Sequence, residues 1–213
     1  KTRRQRQMCI RDRVNVGLAE NAEPVLRNIE TLGFSNDDVQ HLLITQAHFD
    51  HAGGAEFVRD KTGASVYAGR GDVALLQSGG LNDHVFGDEY PFLAVEQVQS
   101  IEDGDIIDCG SVLMKTLATP GHTPGSRSWW LEYDEKRYFF AASISLLNDT
   151  NINDNPVYSE IQQDFINTYE RLKHLEYDYF LPDHLVFIDP NNGEKSVPEP
   201  NWFRRQDVLP KLI

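Results

Sequence analysis

With 213 residues, 40% of them hydrophobic and 25% charged, the chain is long enough for one domain with a sizeable core and has an ordinary globular composition. Its formal net charge of -13 argues against nucleic-acid binding, which needs a basic face. No apolar run approaches the roughly 18 residues that a membrane span requires.

The chain opens on a basic head. Lys1, Arg3, Arg4, Arg6, Arg11 and Arg13 stand there against one acid, Asp12, so the remainder is more acidic than the whole. The head lacks the apolar stretch and small-residue cleavage site of a secretory signal. Residues 4–13, Arg-Gln-Arg-Gln-Met-Cys-Ile-Arg-Asp-Arg, resemble translated sequencing adapter. Residues 1–13 are therefore read as a non-native head, and residues 14–213 as one domain. The two cysteines, Cys9 and Cys109, have no Cys-x-x-Cys spacing, and no structural disulfide is expected.

Pro24 followed by Val25, Leu26, Ile29 and Leu32 predicts a helix stopped at Gly33. Leu42-Leu43-Ile44 suits a short buried strand. A helix over Ala55 to Lys61 ends at Gly63, a strand covers Ala64 to Ala68, and Asp72 to Gln77 makes another helical turn or two. Residues 98–118 read as β structure with Asp103-Gly104 as the turn. Ser128 to Tyr133 and Arg137 to Ala141 form a hairpin around Asp134-Glu135. In Ser159 to Leu175 one apolar stripe runs through Ile161, Phe165, Tyr169 and Leu172, which predicts a helix. Tyr179-Phe180-Leu181 is a last short strand before Pro182. The order is mixed α and β, with no linker and no repeat.

Three polar clusters sit where strands end. Gln46-Ala47-His48-Phe49-Asp50-His51-Ala52-Gly53-Gly54 follows a buried strand and precedes a helix. Two histidines and an aspartate on such a loop can converge on one point, and both residue types ligate zinc. His122 sits in the turn-rich Thr119-Pro120-Gly121-His122-Thr123-Pro124-Gly125-Ser126, and His184 follows the last strand. Each histidine alone is unremarkable. Three loops presenting histidine at strand ends point together to a metal site.

The H-x-D-H-A-G-G core, the Gly-His-Thr-Pro-Gly loop and the late histidine resemble the metallo-β-lactamase superfamily, in order, from about Val14 to about Pro190. The resemblance implies an α/β fold, a four-layer αβ/βα sandwich with the metals at the edge between its two sheets. Members open with two or three further strands before this point, so the resemblance implies an N-terminally truncated domain. The usual motif begins H-x-H-x-D-H, and here Gln46 takes its first position. The resemblance implies zinc as cofactor, one or two ions per chain. Gln46, His48 and His122 would hold one, and Asp50, His51 and His184 the other.

The segment Phe140-Ala141-Ala142-Ser143-Ile144-Ser145 carries neither the bridging aspartate of glyoxalase-type and lactonase-type members nor the cysteine ligand of the first two β-lactamase subclasses. It resembles the third subclass, as do Asn155-Pro156-x-Tyr158 and the helix after them. Ser143 and Ser145 would then be substrate- or water-binding hydroxyls. The Asn/Asp-rich loop from Asn148 to Asn155 departs from that pattern. The reaction implied is hydrolysis of a β-lactam amide by zinc-activated water, with Asp50 orienting the nucleophile. The expected partner is a small β-lactam, with no nucleic acid and no membrane. A monomer and a periplasmic or secreted location are expected from the family alone. Two alternatives remain: a hydrolase of the same fold acting on a lactone, thioester or phosphate ester, and a non-catalytic zinc-binding fragment.

Overall fold

Apolar residues alternate along the strands with a period of two, and the alternation sorts them into separate core layers. The computed structural model describes residues 12–110, 112–145 and 150–184, with the backbone of two short strands beyond them. Most of the basic head, including Cys9, and Asn148 of the Asn/Asp-rich loop lie outside the described residues.

The first sheet is parallel, in the order β1 (Asp12–Val14), β2 (His41–Leu43), β3 (Ser65–Gly69), β4 (Val98–Ile101). Parallel strands need crossovers, and helices supply them. They are α1 (Ala22–Thr31) and α3 (Ala55–Thr62), with the one-turn α2 (Phe49–Ala52) and α4 (Val73–Ser78). The second sheet runs β5 (Ile106–Asp108), β6 (Leu113–Ala118), β7 (Arg127–Tyr133), β8 (Lys136–Ala141), β9 (Tyr179–Pro182). It is antiparallel except between β8 and β9. The crossover from β8 to β9 carries α5 (Ile161–Leu172). A small pair, β10 (Phe187–Ile188) and β11 (Lys195–Ser196), follows.

Leu42, Val66 and Ala68 face the helices and pack with Leu26, Ala55, Val58 and Leu76. Leu43 and Tyr67, one position over, face inward and meet Trp129, Met114, Ile107 and Phe140 between the sheets. Trp130 and Phe139 point to the far side, against Leu172 and Leu175 at the end of α5. The layers are helices, sheet, sheet, helix: the αβ/βα sandwich that the resemblance implied.

Most elements fall where the sequence put them. Gly33 and Gly63 take positive φ of 87° and 72° after α1 and α3, the left-handed turn that ends a helix. Asp134 and Glu135, at φ 50° and 58°, close the two-residue turn between paired Tyr133 and Lys136. One reading changes. Asp103-Gly104 does not join two neighbours of one sheet. It carries the chain from β4 in the first sheet to β5 in the second. Ile101 and Ile107 on either side share the core between the sheets, and burying both requires the crossing.

Candidate metal centre

The loops after β2, β3, β6, β8 and β9 gather at one edge of the sandwich, where the strands' polar ends meet. His48 precedes α2 in extended conformation, φ -72° and ψ 155°. The one-turn helix then sends Asp50 and His51 away from it. Gly54 lets this turn close on its neighbours: a Cβ there would stand 2.8 Å from Ala22 Cβ and 2.9 Å from Val16 Cγ1.

Asp50, His51 and His184 converge. His51 Nε2 and His184 Nε2 are 3.0 Å apart, and Asp50 Oδ2 is 3.4 Å from each. Ligands held at about 2.0–2.2 Å in a tetrahedron stand about 3.4 Å apart, so the donor set fits a divalent ion of zinc's size. Burial opposes ionisation of Asp50, but the hydrogen bond from His51 and the charges of His51 and His184 outweigh it and bring its pKa to about 2. Burial also opposes the charged form of His51, and Asp50 and Asp183 outweigh that, raising its pKa. Behind the ring, Asn15 Nδ2 is 2.9 Å and Asp183 Oδ2 3.7 Å from Nδ1. The cluster opens on a cavity of about 1130 Å³ that extends to Met114, Leu131 and Phe140.

The other group is interior. Gln46, His48 and His122 are 1%, 2% and 6% exposed, and the rings of His48 and His122 stand 4.9 Å apart, edge to face. Gln46 Nε2 donates weakly to Ser143 Oγ at 3.4 Å, while Gln46 Oε1 is buried with no donor. An orphaned buried carbonyl oxygen costs free energy unless something electropositive meets it, and a cation beside two imidazoles does so. His122 Nδ1 donates to the Ser145 carbonyl at 2.7 Å, which leaves Nε2 to carry the lone pair that a metal requires. Burial, helped by the charge of His48, lowers the His122 pKa to about 3. The residues therefore fit two metal positions.

Other side chains hold these loops. Asp72 is buried. Its Oδ2 accepts from Ala47 N–H at 3.0 Å and Thr123 Oγ1 at 2.7 Å, and its Oδ1 from Gly125 N–H at 2.7 Å. It thus ties the His48 loop to the His122 loop. Burial pushes its pKa up, against those three donors. Asp183 accepts from Ser143 N–H at 2.9 Å and Ser143 Oγ at 3.0 Å, binding the end of β8 to the end of β9. From α5, Thr168 Oγ1 donates to Pro120 O at 2.7 Å and Tyr169 OH to Ile144 O at 2.8 Å.

The six residues expected to hold metal, with Ser143 and Ser145, all reach this edge. Ser143 is buried with its hydroxyl given to Asp183, whereas Ser145 is exposed. The sequence reading missed Asp72, Asp83, His84 and Asn15. Asp72 begins a helical turn and Asn15 follows β1, so only their partners reveal them. Asp83 and His84 lie in the loop after α4, not behind a strand, and a search of strand ends passes them by.

The comparisons agree with this architecture. The description Metallo-beta-lactamase superfamily matches residues 16–184. A beta-lactamase from Chitinophaga pinensis is 30% identical, covers 93% of this chain and 79% of its own, and superposes with a TM-score of 0.80. The class B3 di-zinc metallo-beta-lactamase LRA-12 from an Alaskan soil metagenome is 28% identical, with coverage of 93% and 78% and a TM-score of 0.80. Among curated relatives, the hydroxyacylglutathione hydrolase of Rhodospirillum rubrum is 30% identical over 109 residues, 51% of this chain and 34% of that protein. The chain spans about a third of the length of that relative. With the family model matching residues 16–184, most of its length, the chain belongs to the metallo-beta-lactamase superfamily.

Proposed function

We propose that the chain is a zinc-dependent hydrolase that opens the amide of a β-lactam ring and so inactivates the antibiotic. The observation that carries this reading is the end of β8. Ser143, not a carboxylate, stands there, and its hydroxyl turns to Asp183. Asp183 lies on the Nδ1 side of His51 with its oxygens engaged by Ser143, so it is not placed to bridge two ions. Asp50 is the carboxylate that shares the Nε2 side with His51 and His184. This is the pattern expected of the third β-lactamase subclass, and structural neighbours titled as beta-lactamases support it.

Gln46, His48 and His122 would hold one zinc, and Asp50, His51 and His184 the other. Zinc in these positions supplies Lewis acidity and lowers the pKa of water to about 7. In the reaction, water oxygen adds to the lactam carbonyl carbon, the C–N bond breaks, and the ring nitrogen takes a proton. Asp50, ionised at neutral pH, accepts a hydrogen bond from the attacking water and orients it. Ser145, exposed at the rim, would meet a polar group of the substrate. Ser143 keeps the Gln46 amide in place.

The relatives titled as hydroxyacylglutathione hydrolases favour a second reading, in which the bond cut is a thioester. The two are separated by assaying the purified chain with a chromogenic cephalosporin and a hydroxyacylglutathione thioester, each with chelator and after zinc is restored. Chelator-sensitive, zinc-restored cephalosporin turnover is expected. Turnover of the thioester alone would overturn the β-lactam reading.

A further inference from the structure

His48 has a second set of neighbours that no role above uses. Its Nε2 lies 3.2 Å from Asp83 Oδ2, without the geometry of a hydrogen bond. The imidazole of His84 lies beyond, its ring centre 5.8 Å from that of His48 and its Nδ1 3.9 Å from Asp83 Oδ1. One ligand atom from each of the three falls within 4.8 Å of the other two. All three side chains are more than nine-tenths buried, at 1%, 4% and 3% exposure. His48 Nε2 and His84 Nε2 have no hydrogen-bond partner.

The loop is shaped to bring them there. Gly79, Gly80, Asn82 and Gly87 all take positive φ. Asp83 Oδ1 accepts from Val85 N–H and Phe86 N–H at 2.7 and 2.9 Å, so Oδ2 is the oxygen turned to His48. Asn155 Nδ2 donates to the His84 carbonyl at 3.0 Å, and Tyr158 stands edge-on to its ring at 5.3 Å. In a simple His48–Asp83 ion pair the buried His84 ring, bonded to the His122 backbone, would still leave its Nε2 unanswered.

We propose that Asp83 and His84 are metal ligands, forming with His48 a divalent-cation position in which an imidazole and a carboxylate make up for the weak, neutral Gln46 amide. Buried histidine and carboxylate together suit zinc or cobalt better than calcium or magnesium, which favour all-oxygen sites. The inference rests on the reading of the chain as a metal-dependent hydrolase, and not on which bond it cuts.

The test uses the full chain without substrate. Zinc affinity is measured by competition with a chromogenic chelator. Cobalt-loaded protein is examined by visible absorption and by proton NMR, where each ligating imidazole gives shifted signals. His84→Phe keeps a ring against Tyr158, and Asp83→Asn keeps the Oδ1 acceptor, so one reports if the other misfolds. Each should weaken one zinc position at least tenfold and change the cobalt spectrum, and His84→Phe should remove one imidazole signal. Unchanged affinity and spectra in a folded variant would overturn the assignment and leave that ion to Gln46, His48 and His122. A parent chain that binds neither metal would overturn this and the hydrolase reading together. Altered spectra with no β-lactam turnover would support this inference while the substrate reading fails.

Discussion

The two candidate metal clusters solve the problem of burying charge in opposite ways. Around His51 the carboxylates of Asp50 and Asp183 surround an imidazole at an open edge, and its proton affinity rises. Around His122 and His84 burial dominates, and their pKa values fall to about 3 and about 4. One cluster is organised by charge compensation before any ion arrives. The other keeps His122 and His84 neutral and leaves the Gln46 carbonyl oxygen unanswered. The difference teaches that the same residue type, a few ångströms apart, is prepared for a cation by attraction in one place and by desolvation in the other.

The comparison breaks most completely if the open cluster is removed. Asp50→Ala or His184→Ala should eliminate one metal equivalent and cut turnover more than about 100-fold, since losing a mere support of a ligand costs about 10–100-fold. Metal analysis alongside steady-state rates checks this, and unchanged hydrolysis by Asp50→Ala would remove its assigned role. Next in size is Asp72→Ala. It strands the buried Ala47 and Gly125 N–H donors, each worth about 1–3 kcal/mol when unmet, while Thr123 Oγ1 keeps Ser126 Oγ as a partner, so denaturant unfolding should show a loss of about 2 kcal/mol or more.

The pH response separates the clusters. For His122 and His84 the folded pKa lies below the unfolded value of about 6.5, so the unfolded chain binds more protons and acid favours it. Their contribution is complete above pH 6.5 and lost as pH falls toward about 4 and then about 3. His51, with a raised pKa, has the opposite sign: its contribution is present below about pH 6.5 and lost as pH rises through the folded value. Asp50 and Asp83, lowered to about 2, keep theirs until pH drops below about 4. Melting of chelator-stripped protein should therefore show midpoints falling from pH 6.5 to pH 4. A flat profile there would contradict the neutral interior histidines. The smallest change expected is Gln46→His, which should tighten the interior position about tenfold, or 1.4 kcal/mol. No gain in zinc affinity would place Gln46 off the metal.

Much of this was legible in the chain. Leu42-Leu43-Ile44 and the Asp134-Glu135 turn declare themselves through local pattern, and His48, Asp50, His51, His122 and His184 through their places at strand ends. What the sequence hid depends on distance in space. Nothing near Asp103-Gly104 says that the chain changes sheets there, because that follows from where Ile101 and Ile107 are buried. Nothing near Asp72 announces that it binds Ala47 and Gly125, residues far along the chain in both directions. His84 reads as an ordinary loop histidine until its ring is found beside His48.

The hydroxyls of α5 carry a consequence for how such an enzyme could diversify. Thr168 grips the Pro120 carbonyl and Tyr169 the Ile144 carbonyl, each by a single bond from the outermost layer, while Asp72 clamps the floor beneath with three. Changes on the outer helix can therefore tilt the rim around His122 and Ser145 by small steps without disturbing the floor. Under the proposed function, substrate range can drift under selection through a layer that meets neither metal nor substrate.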